Sequence, residues 1–210
     1  MILYLHGFRS APISFKAQLM AKAVSNAVSN AASNPDLSQH WACPALPASP
    51  ALAIELALEC AQRLAAQAQR SIKTLTIIGS SLGGFYATVL AERLGCRAVL
   101  LNPAVHAPRD LATQVGTHQH YHSDEPFHFL PAYIDELQHM AIGQITEPQR
   151  YLLIAATGDE VLDWREMRDF FAGSAQIIVQ GSDHGLSDFA THIPAVLAFS
   201  NAELATPQVK

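Results

Sequence analysis

No uninterrupted apolar run in this 210-residue chain approaches the roughly 20 residues that cross a bilayer. The opening stretch Met1-Ile2-Leu3-Tyr4-Leu5-His6-Gly7 also lacks the basic start and long apolar centre of a secretory signal, so the expectation is a cytoplasmic protein without a membrane span. Cysteine is scarce: Cys43, Cys60 and Cys96 are an odd number at wide spacings, which argues against a disulfide framework and leaves reduced, packed thiols. Charge is low as well. Only 15% of residues are charged, the net charge is −5, and no basic stripe is present to follow a phosphate backbone, so nucleic acid is not an expected partner. G-x-x-x-x-G-K-[ST], G-x-G-x-x-G and H-E-x-x-H runs are missing too, and neither a metal nor an organic cofactor is expected.

What the chain has in quantity is apolar residues, 50% of the total, with no linker between two halves. That is enough for one packed domain over 1–210. The stretch from Thr74 to Leu94 organises it: β-branched Thr76-Ile77-Ile78, then Gly79-Ser80-Ser81-Leu82-Gly83-Gly84, then an apolar helical run from Phe85. Gly79-x-Ser81-x-Gly83 between a buried-type strand and a helix is the nucleophile-elbow pattern, in which a strained turn holds the serine Oγ clear of the sheet. A Gly-rich turn binding phosphate at the helix start is the weaker alternative, because both phosphate motifs are missing.

Residues 2 to 5 read as a short strand buried on both faces, followed by the loop His6-Gly7-Phe8-Arg9-Ser10. A backbone N–H in such a loop joins that of the residue after the nucleophile to form an oxyanion hole, which here gives Phe8 and Leu82. His6 is expected to pack or hydrogen-bond beneath the loop. Helices are expected from Ser14 to about Asn30 and from Ser49-Pro50 to about Arg70, with Trp41-Ala42-Cys43-Pro44 as a weak edge strand between them. Ser25-Asn26, Ser29-Asn30 and Ser33-Asn34 recur on a solvated face, and Asn34-Pro35 stops them. Strands at 97–101, 151–156 and 175–179, a helix over 163–171 and a last one over about 187–199 complete an alternation that predicts a mostly parallel, doubly wound α/β sheet with helices on both faces. Residues 103–148 break that alternation, carry five prolines and six of the ten histidines, and are expected to form a lid over the site.

Chain order serine, acid, histidine then selects the partners. Asp159 comes first after the strand 151–156 and is the preferred acid, with Glu160 as runner-up. Asp163 and Glu166 fit a capping box for the following helix. His184, in Gly181-Ser182-Asp183-His184-Gly185, follows the last strand directly, whereas His192 falls in the final helix and is read as structural. Ser81, Asp159 and His184 are expected to form a triad for acyl transfer through an acyl-enzyme, and the expected partner is a small-molecule acyl ester or thioester. The competing constellation, His118-Gln119-His120-Tyr121-His122, places three imidazoles on one face if extended, but is read as a lid segment rather than a metal site. Tyr121, Phe127, Phe129 and Tyr133 are candidates either to line an acyl pocket or to pack the lid onto the domain.

Leu3-Tyr4-Leu5-His6-Gly7-Phe8, Gly79-Ser80-Ser81-Leu82-Gly83-Gly84-Phe85-Tyr86-Ala87-Thr88, Leu101-Asn102-Pro103-Ala104-Val105 and Thr157-Gly158-Asp159-Glu160-Val161-Leu162-Asp163 resemble, in that order, the small bacterial YqiA/YcfP-type esterases. The resemblance implies a compact α/β-hydrolase fold without the antiparallel strands that begin larger members, with Ser81, Asp159 and His184 as triad and esterase or thioesterase activity. The histidine loop and the lid histidines depart from the family's pattern. Two other readings stay open: a catalytically silent domain that binds an acyl ligand or a protein partner, and an acyltransferase using the same triad.

Overall fold

The computed structural model describes residues 1–31 and 37–201, so the Ser33-Asn34 repeat and the Asn34-Pro35 stop lie outside the described residues. In chain order the strands are β1 (Ile2–Leu5), β2 (Trp41–Ala42), β3 (Thr76–Ser80), β4 (Arg97–Leu101), β5 (Gly116–Gln119), β6 (Pro126–Phe129), β7 (Tyr151–Ala156) and β8 (Ala175–Val179). Six of them form one parallel sheet in the order β2-β1-β3-β4-β7-β8, while β5 and β6 pair antiparallel by themselves. The α/β expectation holds, and the short Trp41–Ala42 strand is an edge.

Apolar runs without polar alternation become strands here because both faces are covered. Helices α1 (Phe15–Ala31), α2 (Pro50–Gln67), α3 (Leu82–Leu94), α4 (Ala107–Leu111), α5 (Ala132–Met140), α6 (Trp164–Phe170) and α7 (Ile193–Asn201) supply the cover. Along β1, Leu3 and Leu5 enter the core built with α2 and α3, while Ile2 and Tyr4 enter the opposite core with α1 and α7. Each fully buried side chain of this size contributes roughly 1.5–3 kcal/mol.

Helix ends follow local chemistry. Ser49 caps α2 by accepting the Leu52 N–H at 3.3 Å, with Pro50 in the first turn. The helix stops at Gln67, short of the expected Arg70, because Gln69 takes a left-handed φ of 51° and turns the chain. The last helix is split: a 3-10 turn over Phe189–His192 precedes α7, because Pro194 has no N–H to continue a single helix through that turn. His192 therefore sits in the 3-10 turn, 3.7 Å from Asp188. Asp163 does cap α6 by accepting the Arg165 N–H at 2.9 Å, but Glu166 does not close a capping box. Its carboxylate is taken by Arg109 of α4, at 2.8 and 2.6 Å.

The connection over 103–148 holds α4, the β5–β6 hairpin and α5, and it packs onto the domain. Phe127 and Phe129 are buried edge-on against Phe8 at 5.0 and 5.1 Å. Glu136 of α5 accepts hydrogen bonds from Ser49 Oγ at 2.8 Å and Ala51 N–H at 2.9 Å, which ties α5 to the start of α2. Cys43, Cys60 and Cys96 are free, and burial pushes the Cys43 and Cys96 thiols up to about 12. Among the described residues no helix is long and apolar enough to cross a membrane.

Candidate active site

Ser81 is forced into place by its neighbours. A Cβ on Gly79 would lie 2.2 Å from the Gly83 carbonyl oxygen, and one on Gly83 would lie 2.0 Å from the Leu5 carbonyl oxygen, so the turn closes only with glycine at both positions. Ser81 itself has φ 54° and ψ −120°, a conformation that costs of order 1–3 kcal/mol for a residue with a side chain. The surroundings hold it there: its N–H donates to the Leu101 carbonyl, and its carbonyl accepts from Gly84 and Ala104 N–H groups, all within 3.0 Å. Although Ser81 stands at the start of α3, its hydroxyl makes no capping bond.

Ser81 Oγ instead lies 3.0 Å from His184 Nε2, and His184 Nδ1 lies 2.8 Å from Asp159 Oδ2. The Asp159 side chain is fully buried, and its other oxygen accepts the Val161 and Leu162 N–H groups at 2.8 and 2.9 Å. A carboxylate satisfied in this way accepts from Nδ1–H, which leaves Nε2 as the lone-pair nitrogen facing the serine. Glu160, the runner-up acid, is not on the imidazole. Its carboxylate accepts the His184 backbone N–H at 3.0 Å and so steadies the loop rather than the ring.

The oxyanion candidates flank the serine. The Gly7 loop runs against it so closely that a Cβ on Gly7 would lie 3.1 Å from Ser81 Cβ. The Gly7 carbonyl accepts from Ser10 N–H at 3.2 Å and from His6 Nδ1–H at 3.0 Å. Across a trans peptide the Phe8 N–H points the opposite way, and among the described residues neither it nor the Leu82 N–H has a protein acceptor. His6 lies beneath the loop as expected: its Nε2 accepts the Leu46 N–H at 3.0 Å, so the proton is on Nδ1. Burial, helped by nearby His120 and His122, holds its pKa below the ordinary histidine value.

All of this opens into a cavity of about 690 Å³, lined by Phe8, Ser81, Leu82 and His184 among others, with Asp159 behind the histidine. Tyr121 and His122 line it, whereas Phe127, Phe129 and Tyr133 do not and serve packing. The histidine-rich stretch does not run extended throughout. β5 ends at Gln119, His118 Nε2–H donates to the Gln114 carbonyl at 2.6 Å, and the His120 ring packs edge-on against Phe127 at 5.0 Å. Among the described residues no group of three or more His, Cys, Asp or Glu side chains is gathered to hold a metal ion.

Asn102 is the residue that sequence reasoning missed. It sits fully buried with φ 43° just after β4, its amide Nδ2 donates to the Asp183 and His184 carbonyls at 3.0 and 3.1 Å, and its Oδ1 accepts the Ala156 N–H at 2.8 Å. One side chain thereby joins the ends of β4 and β7 to the histidine loop. The signal was present in part: an asparagine between a strand and Pro103 is a residue type that tolerates positive φ.

The profile of UPF0227, an uncharacterised protein family, matches residues 1–201. Among solved structures, the chain is similar to the esterase domain of a Rhodothermus marinus protein, at 18% identity and a TM-score of 0.63, covering 94% of this chain and 85% of that one. It is similar to a structure from work on LipS and LipT, two metagenome-derived lipolytic enzymes, at 14% identity and a TM-score of 0.63, covering 95% and 92%. It is also similar to the mouse alpha/beta hydrolase domain-containing protein 10, at 12% identity and a TM-score of 0.62, covering 93% and 88%. At these identities the likeness establishes the α/β-hydrolase fold.

Proposed function

The chain belongs to the UPF0227 family, and we propose that it is a cytoplasmic serine esterase or thioesterase that hydrolyses acyl esters through Ser81, His184 and Asp159. The observation that carries this reading is the continuous line of hydrogen bonds from Ser81 Oγ through His184 to Asp159, 3.0 and 2.8 Å long, opening on a cavity. The esterase and lipolytic names among its structural neighbours agree with it.

In the reaction, His184 Nε2 takes the Ser81 proton as Oγ attacks the acyl carbonyl carbon. The negative charge that develops on the carbonyl oxygen is held by the Phe8 and Leu82 N–H groups, each worth about 3 kcal/mol of the barrier. Asp159 keeps the imidazole in the right tautomer and stabilises the imidazolium. The tetrahedral centre collapses, the bond to the leaving oxygen or sulfur breaks, and His184 gives that atom its proton. Water then attacks the acyl-Ser81 ester with His184 again as base, and releases the carboxylic acid and free serine. Residues 103–148 serve as the lid, and Tyr121 and His122 from it line the cavity.

Hydrolysis of p-nitrophenyl acetate, butyrate and octanoate by wild type and Ser81→Ala tests the reading. Turnover that falls to background in the variant is the expected result. Equal slow rates in both proteins would refute it and favour a silent, ligand-binding domain.

A further inference from the structure

The protein is acidic overall, yet its cavity is not. The charged side chains on the cavity wall are Arg9, Lys16 and Asp110, and Asp110 already holds Arg109 at 2.8 Å. Arg9 is partly engaged: its Nε–H donates to the Gln119 carbonyl at 2.7 Å and its guanidinium lies 4.7 Å over the Tyr121 ring. Lys16 is different. Its Nζ donates to the Gly185 carbonyl at 2.6 Å, and among the described residues no carboxylate oxygen lies within 4.0 Å of it. An ammonium carries three donors, so two remain beyond the one given to Gly185, on a side chain that lines the cavity and has no charged partner among the described residues. The carboxylates whose charge favours the ammonium are engaged elsewhere, Asp183 with the Ser187 N–H at 2.9 Å and Asp159 with His184. Burial pulls the Lys16 pKa down to about 8, against the pull of those two carboxylates. A half-buried ammonium is costly unless an anion joins it.

The position of Lys16 says which part of a substrate would supply that anion. His184 Nε2 must protonate the leaving atom, so the leaving group lies against the histidine loop. Gly185 is the next residue, and Lys16 sits on its carbonyl, so its ammonium is held against the loop that carries His184, in the same cavity as Ser81. The hydroxyl residues Ser10 and Ser14 line the same cavity.

Resting on the esterase reading above, we propose that the site prefers esters whose leaving group carries a carboxylate a few bonds from the scissile oxygen, that is, acyl esters of hydroxy acids, with Lys16 as the counter-ion. Charge-assisted bonds to a compact ammonium give such an anion its advantage over a neutral group of the same shape. The advantage is present while Lys16 is protonated and fades as pH rises through about 8.

The test compares meta-butyryloxybenzoate with the neutral meta-butyryloxybenzamide, by kcat/KM, in wild type, Lys16→Met and Lys16→Arg. Wild type at neutral pH should favour the carboxylate ester by about tenfold or more. That ratio should fall towards one well above pH 8, a readout that needs no variant. Lys16→Met should bring the ratio near one at every pH, whatever its absolute rates, and Lys16→Arg should retain a preference above pH 8. A wild-type ratio near one at neutral pH overturns the proposal, as does a Lys16→Met variant that keeps the wild-type ratio. If neither ester is turned over, the esterase reading fails on its own, and titration calorimetry with meta-hydroxybenzoate and meta-hydroxybenzamide decides the anion site. Tighter binding of the carboxylate that is lost in Lys16→Met supports it, and equal binding refutes it.

Discussion

Replacing Asn102 with alanine removes three hydrogen bonds at one buried point. The Asp183 and His184 carbonyls lose their shared donor, and the Ala156 N–H loses its acceptor. Leaving a buried polar group unpaired costs about 1–3 kcal/mol, and carbonyls with a second lone pair tolerate it better than an N–H, so a total of roughly 3–5 kcal/mol follows. For a domain of this size 1 kcal/mol moves Tm by about 2–4 °C, so Asn102→Ala should melt on the order of 10 °C below wild type. Positive φ adds about 1–2 kcal/mol for alanine and almost nothing for glycine. Asn102→Gly should therefore recover only that fraction. Asn102→Asp keeps the acceptor for Ala156 but sets a carboxylate against two carbonyls, and should be at least as damaging as alanine. Activity should fall with stability, because the loop carrying His184 is what the amide holds. Thermal unfolding followed by circular dichroism, with kcat measured well below each Tm, checks both. An Asn102→Gly protein with wild-type Tm would show that backbone strain, not hydrogen bonding, fixes this position. Asn102→Ala with wild-type kcat would show that the loop holds His184 without it.

The two carboxylates of the acid loop should separate cleanly by kinetics. Asp159→Asn presents an amide to His184 Nδ1, favours the wrong tautomer and should lower kcat by ~10³–10⁴-fold, whereas Glu160→Gln keeps an acceptor for the His184 N–H and should cost less than about tenfold. The reverse ranking would move the acid role to Glu160. Away from the site, burial acts to raise the Glu92 pKa, but donors from Thr146, Tyr151 and Arg150 outweigh it and hold the carboxyl below its ordinary value. Because the folded value is depressed, that stability is present above the unfolded carboxylate range, near about 4.3, and is lost as pH falls through the lower folded value. Denaturant unfolding of wild type and Glu92→Gln should differ most at neutral pH and converge in acid, and a gap that widened on acidification would refute the assignment.

The features legible from the residues were those that local chemistry dictates. Continuous apolar runs such as Ile2–Leu5 and Tyr151–Ala156 are strands because nothing polar in them needs water, and their alternation with amphipathic stretches admits few arrangements other than a parallel sheet covered on both faces. The glycines around Ser81 and the order serine, acid, histidine pointed to one edge of that sheet, where the structure brings Ser81, His184 and Asp159 within hydrogen-bonding distance. What stayed hidden depends on partners far away in the chain. Nothing near Glu166 announces that Arg109, 57 residues earlier, will take its carboxylate instead of the capping box. The same holds for Asn102 and the loop 81 residues later, and for Lys16 and Gly185, 169 residues apart. Strand, turn and cap preferences act over a few residues and are written in neighbouring side chains. A hydrogen bond across the fold depends on where the sheet and helices bring two backbones together, so its partner is chosen only when the core has packed.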